Sequence, residues 1–261
     1  MNNLRTVSDT KRAFYSIHTR PVNSIYRRVV EEVMVEMHLL RVNEDFREDP
    51  IFALGVVTTY DSFMEGYTPE ADRTTIFEAI CRAQDADPAK YRQDAEQMKQ
   101  FAESKSLDEL LELMTTSTPS GGSDLQGQLS SMSQNEKFKY SRLFGVGLLT
   151  SLQLADAEVL KDETRLKEIL HTLSESLKLP ENKVLQDIEL YRANLDKMVQ
   201  TQQAIADNIA ADRKRREQAE AEKAEKAKAE ATKAEDKPEP AETPAAETTD
   251  ATSDAADSSS S

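Results

Sequence analysis

The sequence predicts an all-α protein, a multi-helix bundle with a long C-terminal helix and a disordered tail. Apolar residues recur at three- and four-residue steps through most of residues 1–210, and this is the period of a helix. Several of these stretches begin at an Asp-Pro or Thr-Pro pair, as helices often do. Residues 236–261 are instead biased toward Pro, Ala, Glu and Ser, a composition typical of disorder.

A short helix is predicted after Ser8-Asp9, and the first long helix is predicted to begin at Pro21. The long helix carries an apolar stripe at helical spacing: Val22, Ile25, Tyr26, Val29, Val33, Met37 and Leu40. At 100° per residue, Glu36 falls inside that stripe. A buried carboxylate is unfavourable unless it is paired or protonated. Two interpretations of Glu36 are open: a buried ion pair or hydrogen bond, and a catalytic or metal-binding role.

The second long helix is predicted to begin at Asp49-Pro50, an N-cap followed by proline in the first turn. Its apolar residues are Ile51, Phe52, Leu54, Val56, Val57, Tyr60, Phe63 and Met64, and Gly66 suits its C-terminal stop. Small residues gather on one side of this helix: Gly55, Thr58, Thr59 and Ser62. We therefore expect another helix to pack closely there, and the two long helices to form a core hairpin.

Three shorter helices are predicted next. The first begins at Thr68-Pro69-Glu70 and the second at Asp87-Pro88. The third begins at Ser106, which with Glu109 has the spacing of a capping box. These regularly placed starts indicate a compact bundle with short loops.

Residues 115–134 are dense in Ser, Thr, Gly and Pro, a composition typical of a linker or loop. The segment either divides two domains or forms a surface loop within one. We favour the loop, because the helix predicted from Phe138 to Leu152 is apolar enough to need burial in a core already built. Gly145 and Gly147 in that helix permit close packing.

An amphipathic helix is predicted from Asp156 to Lys178, and Pro180 interrupts it. A heptad seam with one polar interruption at Gln202 follows: Val184, Ile188, Tyr191, Leu195, Met198, Ile205 and Ile209. The seam either lies on the body of the same chain or pairs with another protein.

From Arg213 onward the only apolar residues are alanines, and opposite charges stand four residues apart at Arg216–Glu220 and Glu222–Lys226. A single helix from Glu181 to Glu235 is therefore predicted. The expected organisation is an α-helical domain over residues 1–210 with the 115–134 loop inside it. This domain is followed by a charged, solvent-exposed helical extension over 211–235 and a disordered acidic tail over 236–261.

Composition excludes several classes of protein. The net charge of −15 argues against nucleic acid as a partner, because phosphate binding needs a basic face. The single cysteine, Cys81, excludes an intrachain disulfide and is expected to be a small buried residue. Apolar runs such as Leu143–Leu149 fall far short of the roughly 20 residues of a membrane span, and the N-terminus lacks the apolar core of a secretory signal. We expect a protein that is soluble or peripherally attached to a membrane.

No catalytic motif is recognisable. The three histidines, His18, His38 and His171, are far apart, and Val35 stands where a Glu-x-x-His motif would need glutamate before His38. The HExxH pattern and the glycine patterns of phosphate loops are missing from the sequence. We therefore expect no enzyme, no catalytic residue, no metal and no cofactor.

A charged face on the first long helix is the candidate partner surface. Arg27 and Arg28 precede Glu31 and Glu32 by four residues, and Arg47 at the following turn extends the set. The face is either a solvated charged surface or a docking surface.

The run VNSIYRRVVEEVMVEMHLL, followed by VNEDFREDPIFALGVVTTYDSFMEGY, resembles the thylakoid formation protein family of oxygenic phototrophs. Residues Thr6–Pro21 and Lys139–Leu152 extend the resemblance, which covers about residues 1–200. Members of this family are photosystem II biogenesis factors of cyanobacteria and chloroplasts, and the family has no catalytic motif. The resemblance implies a helical, peripheral thylakoid protein that supports accumulation of the membrane-anchored FtsH-type metalloprotease and repair of photosystem II.

We therefore expect a non-enzymatic accessory or scaffold factor in thylakoid biogenesis and photosystem II assembly or repair. The implied partners are the FtsH-type protease and photosystem II proteins, on the cytoplasmic side of the thylakoid membrane, with a soluble pool also compatible. The alternative is a general coiled-coil adaptor that self-associates through the seam at residues 184–209.

Overall fold

The computed structural model describes residues 5–115, 125–133, 135 and 137–235, and these residues form ten helices without a strand. The all-α prediction is therefore confirmed. In chain order the helices are α1 (Val7–Ile17), α2 (Ser24–Arg41), α3 (Pro50–Phe63), α4 (Glu70–Arg82), α5 (Pro88–Glu103), α6 (Leu107–Thr115), α7 (Leu125–Ser133), α8 (Arg142–Ala155), α9 (Glu163–Ser176) and α10 (Glu181–Glu235). The chain divides into two compact units between Ala204 and Ile205.

Helices α1 and α2 begin at caps that differ from the predicted ones. Thr6 caps α1 in a capping box, because its Oγ1 accepts the Asp9 N–H at 3.2 Å and the Asp9 carboxylate accepts the Thr6 N–H at 3.0 Å. The Asn23 side chain caps α2 by accepting the Ile25 N–H at 3.1 Å. The prediction of Pro21 as the first residue of α2 was therefore wrong by three residues.

Helix α3 is the centre of the first unit, and every residue from Pro50 to Val56 is buried. It packs against α2, α5 and, most extensively, α8. A Cβ added to Gly55 would lie 1.7 Å from the carbonyl oxygen of Leu143, and one added to Gly147 would lie 1.9 Å from that of Ile51. The two backbones are in direct contact, which confirms the prediction of close packing on this side of α3.

The starts of α3, α5 and α6 confirm their predicted caps. Asp49 accepts the Phe52 N–H at 2.8 Å, and Asp87 accepts the Ala89 N–H at 2.9 Å. Ser106 and Glu109 form the predicted capping box, with the Ser106 N–H donating to the Glu109 carboxylate at 2.9 Å. Local sequence signals were sufficient at these positions because each cap bonds a backbone N–H only two or three residues away.

The loop predicted over residues 115–134 was wrong for 125–133, which form α7. Leu125, Leu129 and Met132 stand at helical spacing, and Leu129 is only 1% exposed. Helix α7 packs on α6 and α3. Its burial against these helices outweighs the weak helix propensity of its glycine and serines. Residues 116–124 lie outside the described part of the chain.

Helices α8 and α9 begin later than predicted. Ser141 caps α8 by accepting the Phe144 N–H at 3.0 Å, so Phe138 precedes the helix and packs its ring 4.9 Å from that of Phe144. Asp162 caps α9 by accepting the N–H groups of Thr164 and Arg165, each at 3.0 Å. In both cases a polar cap inside the apolar pattern, which periodicity alone does not detect, decides the boundary.

Helix α10 has the predicted bounds and follows Pro180. In the second unit, the side chains that the structure describes pair Arg213 with Glu217 at 2.8 Å and Arg215 with Asp212 at 3.8 Å, in place of the predicted Arg216–Glu220 and Glu222–Lys226 pairs. The predicted disordered tail, residues 236–261, falls outside the described residues.

Two further predictions concern burial and length. Cys81 is fully buried as predicted, and burial raises the pKa of its thiol to about 12. Among the described helices, none has the length and apolar character that a membrane crossing requires.

Candidate functional site

Glu36 joins α2 to the N-terminus of α8. Its Oε2 accepts hydrogen bonds from Arg142 Nη2 at 2.9 Å and Nε at 3.2 Å, and its Oε1 accepts the Leu143 N–H at 3.1 Å. The Glu36 side chain is 17% exposed. Both carboxylate oxygens are therefore occupied by α8, and a carboxylate at a helix N-terminus is further stabilised by the helix dipole.

The charges of this pair support each other. Burial disfavours the charged form of Arg142, but the attraction and hydrogen bonds of Glu36 outweigh it and raise the pKa of the guanidinium. Of the two interpretations of Glu36, the geometry favours the buried ion pair. The described residues contain no group of three or more His, Cys, Asp or Glu arranged to hold a metal ion.

Two clefts flank the Glu36–Arg142 pair. The first, which we call the central cleft, has a volume of about 330 Å³ and lies between α2, α3, α8 and the part of α10 before Ala204. The second, which we call the lateral cleft, has a volume of about 810 Å³ and lies between α1, α2, the residues just before α8 and the first turns of α10. Glu36 and Arg142 line both clefts, as do Arg28 and Glu32, so these two ion pairs lie where the clefts adjoin.

Four residues of the predicted partner surface line the lateral cleft: Arg27, Arg28, Glu31 and Glu32. Arg28 pairs with Glu32 at 2.7 Å, as its four-residue spacing predicts. Glu31 pairs with Lys11 of α1 at 2.6 Å rather than with Arg27. The Arg27 side chain is exposed and has no ion-pair partner among the residues that the structure describes.

Arg47 lies apart from the other four residues of the predicted surface. It donates hydrogen bonds to the backbone carbonyls of Glu44 and Phe46, each at 2.7 Å, and lines a different depression beside Asp49. Arg27 is in the first turn of α2, whereas Arg47 follows the C-terminus of that helix. At 1.5 Å per residue, Arg27 is roughly 20 Å along the helix from its C-terminal end.

The predicted seam on α10 divides at Met198. Val184, Ile188 and Met198 are buried in the core, Leu195 is half-buried, and the Tyr191 ring lies 5.8 Å from that of Phe63. Gln202 donates a hydrogen bond to the Glu65 carbonyl at 2.6 Å. Packing on the same chain, one of the two interpretations of the seam, therefore holds up to Gln202.

The remaining seam residues, Ile205 and Ile209, belong to the second unit, where Ile209 is 65% exposed. Self-association through the whole seam would require the seam residues up to and including Met198 to give up their packing contacts within this chain. The structure therefore weighs against the adaptor interpretation for the first five seam residues.

The three histidines lie in separate places. His18 and His38 are buried, and burial is the main cause that lowers the pKa of each. The Nδ1 of His38 lies 2.9 Å from Thr10 Oγ1. His171 is exposed between Glu175 and Glu181, whose hydrogen bond and charges raise its pKa. The fold does not bring these side chains together.

Sequence reasoning missed four lining residues of these clefts: Arg142, Lys197, and Tyr140 and Asp187, which are joined by a hydrogen bond of 3.1 Å. Arg142 carried a usable signal, because it is the one charged residue in the helix RLFGVGLLTSLQLA. A lone charge at the start of an apolar helix needs a partner. Lys197 carried no such signal, since α10 is rich in charge along its whole length.

Comparisons with known proteins agree on one family. The sequence model described as "Thylakoid formation protein" matches residues 6–220. Protein Thf1 of Acaryochloris marina is 58% identical over 217 residues, which cover 83% of this chain and 88% of that protein. Protein Thf1 of Trichormus variabilis is 53% identical over 219 residues, with 84% and 94% covered. The solved structure of Psb29 superposes with a TM-score of 0.71 at 47% identity, covering 81% of this chain and 98% of that one.

Proposed function

Because the chain belongs to the thylakoid formation protein family, we propose that it acts as a non-enzymatic accessory or scaffold factor in photosystem II assembly or repair. In this proposal it works with an FtsH-type membrane protease. The observation that carries the proposal is the match of the family over residues 6–220, which include all of the first unit's helices. The names of the matched proteins support a role in thylakoid biogenesis, and the partner proteins are our inference.

A docking role suits the geometry better than a chemical one. Both oxygens of Glu36, a carboxylate that lines both clefts, are engaged by α8. The ion pairs around it join neighbouring helices, such as Lys11 of α1 with Glu31 of α2. Groups tied to each other in this way hold a surface in shape and are poorly placed to exchange protons with a substrate.

The lateral cleft is the proposed docking surface. Of the five cations that line it, four are paired with carboxylates: Lys11 with Glu31, Arg28 with Glu32, Arg142 with Glu36 and Lys183 with Asp187. The fifth, Arg27, is left to attract an acidic group. Leu39 in the same cleft is 59% exposed and offers an apolar anchor. An amphipathic, acidic segment of a partner protein fits this combination.

Peripheral attachment on the cytoplasmic side of the thylakoid membrane, with a soluble pool, is the proposed location. The family implies thylakoid association. Attachment through a partner protein is compatible with the lateral cleft as the contact surface. Arg47, which lies in a separate depression, is not part of this proposed surface.

Co-purification from thylakoid membranes tests the proposal. We expect the tagged wild-type chain to recover the protease and photosystem II proteins, and the double variant Arg27→Glu/Leu39→Ser to recover several-fold less of both. The matched control is Lys167→Glu/Val199→Ser, which makes the same kinds of change at exposed positions outside the clefts. If the wild-type chain recovers neither partner, the proposed function is contradicted. If both double variants lose the partners equally, the lateral cleft is not the docking surface.

A further inference from the structure

The central cleft combines an apolar wall with one unpaired positive charge. We propose that it binds a single-chain aliphatic carboxylate, in chemical class the anion of a medium-chain fatty acid. The cleft shares Arg28, Glu32, Glu36 and Arg142 with the lateral cleft, but Lys197 and the apolar side chains of its wall line the central cleft alone. This inference therefore does not depend on the proposed docking surface.

The wall of the cleft is apolar on all four of its helices. Helix α2 contributes Ile25, Val29 and Val33, while Phe63, Val146 and Met198 come from α3, α8 and α10. Ile25 is 37% exposed and Val29 is only partly buried, so apolar surface is open to solvent within the cleft. Covering such surface with an alkyl chain is favourable by about fourfold in affinity for each buried methylene group.

One ammonium group at the cleft has no carboxylate partner among the described residues. Arg28 pairs with Glu32 at 2.7 Å, and Arg142 pairs with Glu36 at 2.9 Å. Lys197, which lines the same cleft, has no ion-pair partner among the described residues. The cleft therefore carries a net charge of one positive unit on a chain whose total is −15. A ligand with one negative charge is complementary to it.

The size of the cleft indicates one alkyl chain. Its volume of about 330 Å³ is at the lower end of the range for ligand pockets. At roughly 30 Å³ for a water-sized group, it accommodates about ten such groups, the length of a medium chain. Ring systems the size of a large cofactor exceed this space.

Thr59 adds an independent observation. This residue lines the cleft and is 8% exposed, and its hydroxyl oxygen is buried without a hydrogen-bond partner among the described residues. A buried hydroxyl without a partner is unfavourable, and such groups usually are satisfied by water or a ligand. Because this oxygen is fully buried, a bound amphiphile would satisfy it once the Thr59 side chain turns toward the cleft.

Titration calorimetry with the purified full chain tests the charge assignment. Decanoate and decylammonium carry opposite charges on the same chain length, and we expect decanoate to bind at least tenfold more tightly. Lys197→Gln is expected to weaken decanoate three- to tenfold and to strengthen decylammonium, because it removes the repulsion between two ammonium groups. The control Lys167→Gln removes the same charge from an exposed position on α9 and is expected to change neither. Equal binding of the two ligands, or an unaffected Lys197→Gln variant, would overturn the anionic assignment.

A second variant tests the location. Asn194 is half-buried in the wall of the cleft, and Asn194→Trp fills the space that the chain would occupy. We expect this variant to bind decanoate with more than tenfold lower affinity and to unfold at the same temperature as the wild type. If this variant does not fold, the wild-type series octanoate, decanoate and dodecanoate decides the same point, since an enclosed chain gains affinity with each methylene. Absence of saturable binding below the micelle concentration, or affinity that ignores chain length, overturns the proposal.

These results are independent of the membrane co-purification. The calorimetry uses only the purified chain and a small ligand, so loss of the protease interaction leaves its outcome unchanged. Conversely, a chain that recovers photosystem II proteins but does not bind decanoate retains the proposed function and lacks the proposed ligand.

Discussion

Gly55 of α3 and Gly147 of α8 meet backbone to backbone. A Cβ added to Gly55 would lie 2.8 Å from the Gly147 nitrogen, and one added to Gly147 would lie 2.9 Å from the Gly55 nitrogen. Only residues without a side chain permit this approach, because the groups in the way are main-chain atoms of a neighbouring helix and have little room to move.

Gly147→Ala is therefore expected to lower the free energy of unfolding by about 3 kcal/mol or more, since α3 and α8 would have to separate. Gly145→Ala on the same helix is the matched control. Its Cβ would meet the hydroxyl end of the Tyr140 side chain, which can shift at the expense of its hydrogen bond with Asp187, so a smaller loss of about 1–2 kcal/mol is expected. Urea denaturation measures both, and similar losses would contradict the direct backbone contact.

Glu36→Gln tests the ion pair that joins α2 to α8. The substitution keeps the shape of the side chain but leaves the partly buried Arg142 without its counter-charge, and we expect a loss of about 1–3 kcal/mol. Glu32→Gln is the control, because its pair with Arg28 is more exposed and should change stability by less than about 0.5 kcal/mol. A Glu36→Gln protein as stable as the wild type in urea would show that the pair contributes nothing to the fold.

The buried His38 predicts a loss of stability in acid. Burial is the main cause that lowers its pKa in the folded state below the ordinary value of 6.5, with Arg5 acting in the same direction and Asp9 against it. As the pH falls below 6.5, the unfolded chain takes up a proton that the folded chain does not, so the free energy of unfolding decreases. We expect His38→Gln to flatten this decrease in urea titrations at a series of pH values. The pKa of His18 is lowered in the same way, so the His38→Gln variant is expected to keep part of the pH dependence. If the stability of the variant and of the wild type falls equally steeply with decreasing pH, the assignment to His38 is contradicted.

His171 predicts the opposite dependence. The hydrogen bond with Glu181, followed by the charges of Glu181 and Glu175, raises its pKa above the ordinary value of 6.5. The link between α9 and the start of α10 is therefore present below pH 6.5 and is lost as the pH rises through the raised pKa. The wild type is expected to exceed His171→Gln in unfolding midpoint only on the acid side. A difference that is constant with pH would point to packing instead of charge.

The division of the α10 seam predicts unequal effects of one substitution. Ile188 is 3% exposed in the core, and Ile188→Ala is expected to lose about 2–4 kcal/mol of unfolding free energy. Ile209→Ala, at a position 65% exposed, is expected to change it by less than about 0.5 kcal/mol. Urea denaturation at two protein concentrations measures both. A loss at Ile209 that is present at the high protein concentration and shrinks on dilution would instead indicate self-association through the second unit.

Much of the helical order was predictable because its signals are local. Asp49, Asp87 and Ser106 cap the helices that follow them, since each cap bonds a backbone N–H two or three residues on. The errors came where two local signals competed, as when the Asn23 cap overrode Pro21. Helix α7 was missed because its stability depends on packing against α6, and composition does not report packing.

The candidate site was predictable only in part. The position of Glu36 inside an apolar stripe showed that it needed a partner, but Arg142 lies 106 residues away and its approach depends on how α8 crosses α3. The four-residue spacing paired Arg28 with Glu32 correctly. It failed for Glu31, because Lys11 reaches the same carboxylate from α1 and spacing within one helix cannot reveal a competitor from another.

The crossing of α3 and α8 has a consequence for the newly made chain. Helix α3 is translated roughly ninety residues before α8 is complete, which at 5–20 residues per second leaves about 5–20 s between them. During that interval the glycine side of α3 has no partner helix, and the apolar hairpin emerges from the ribosome without its cover. Slowing translation between the two helices is therefore expected to lengthen chaperone engagement, whereas the same delay placed after α8 is not.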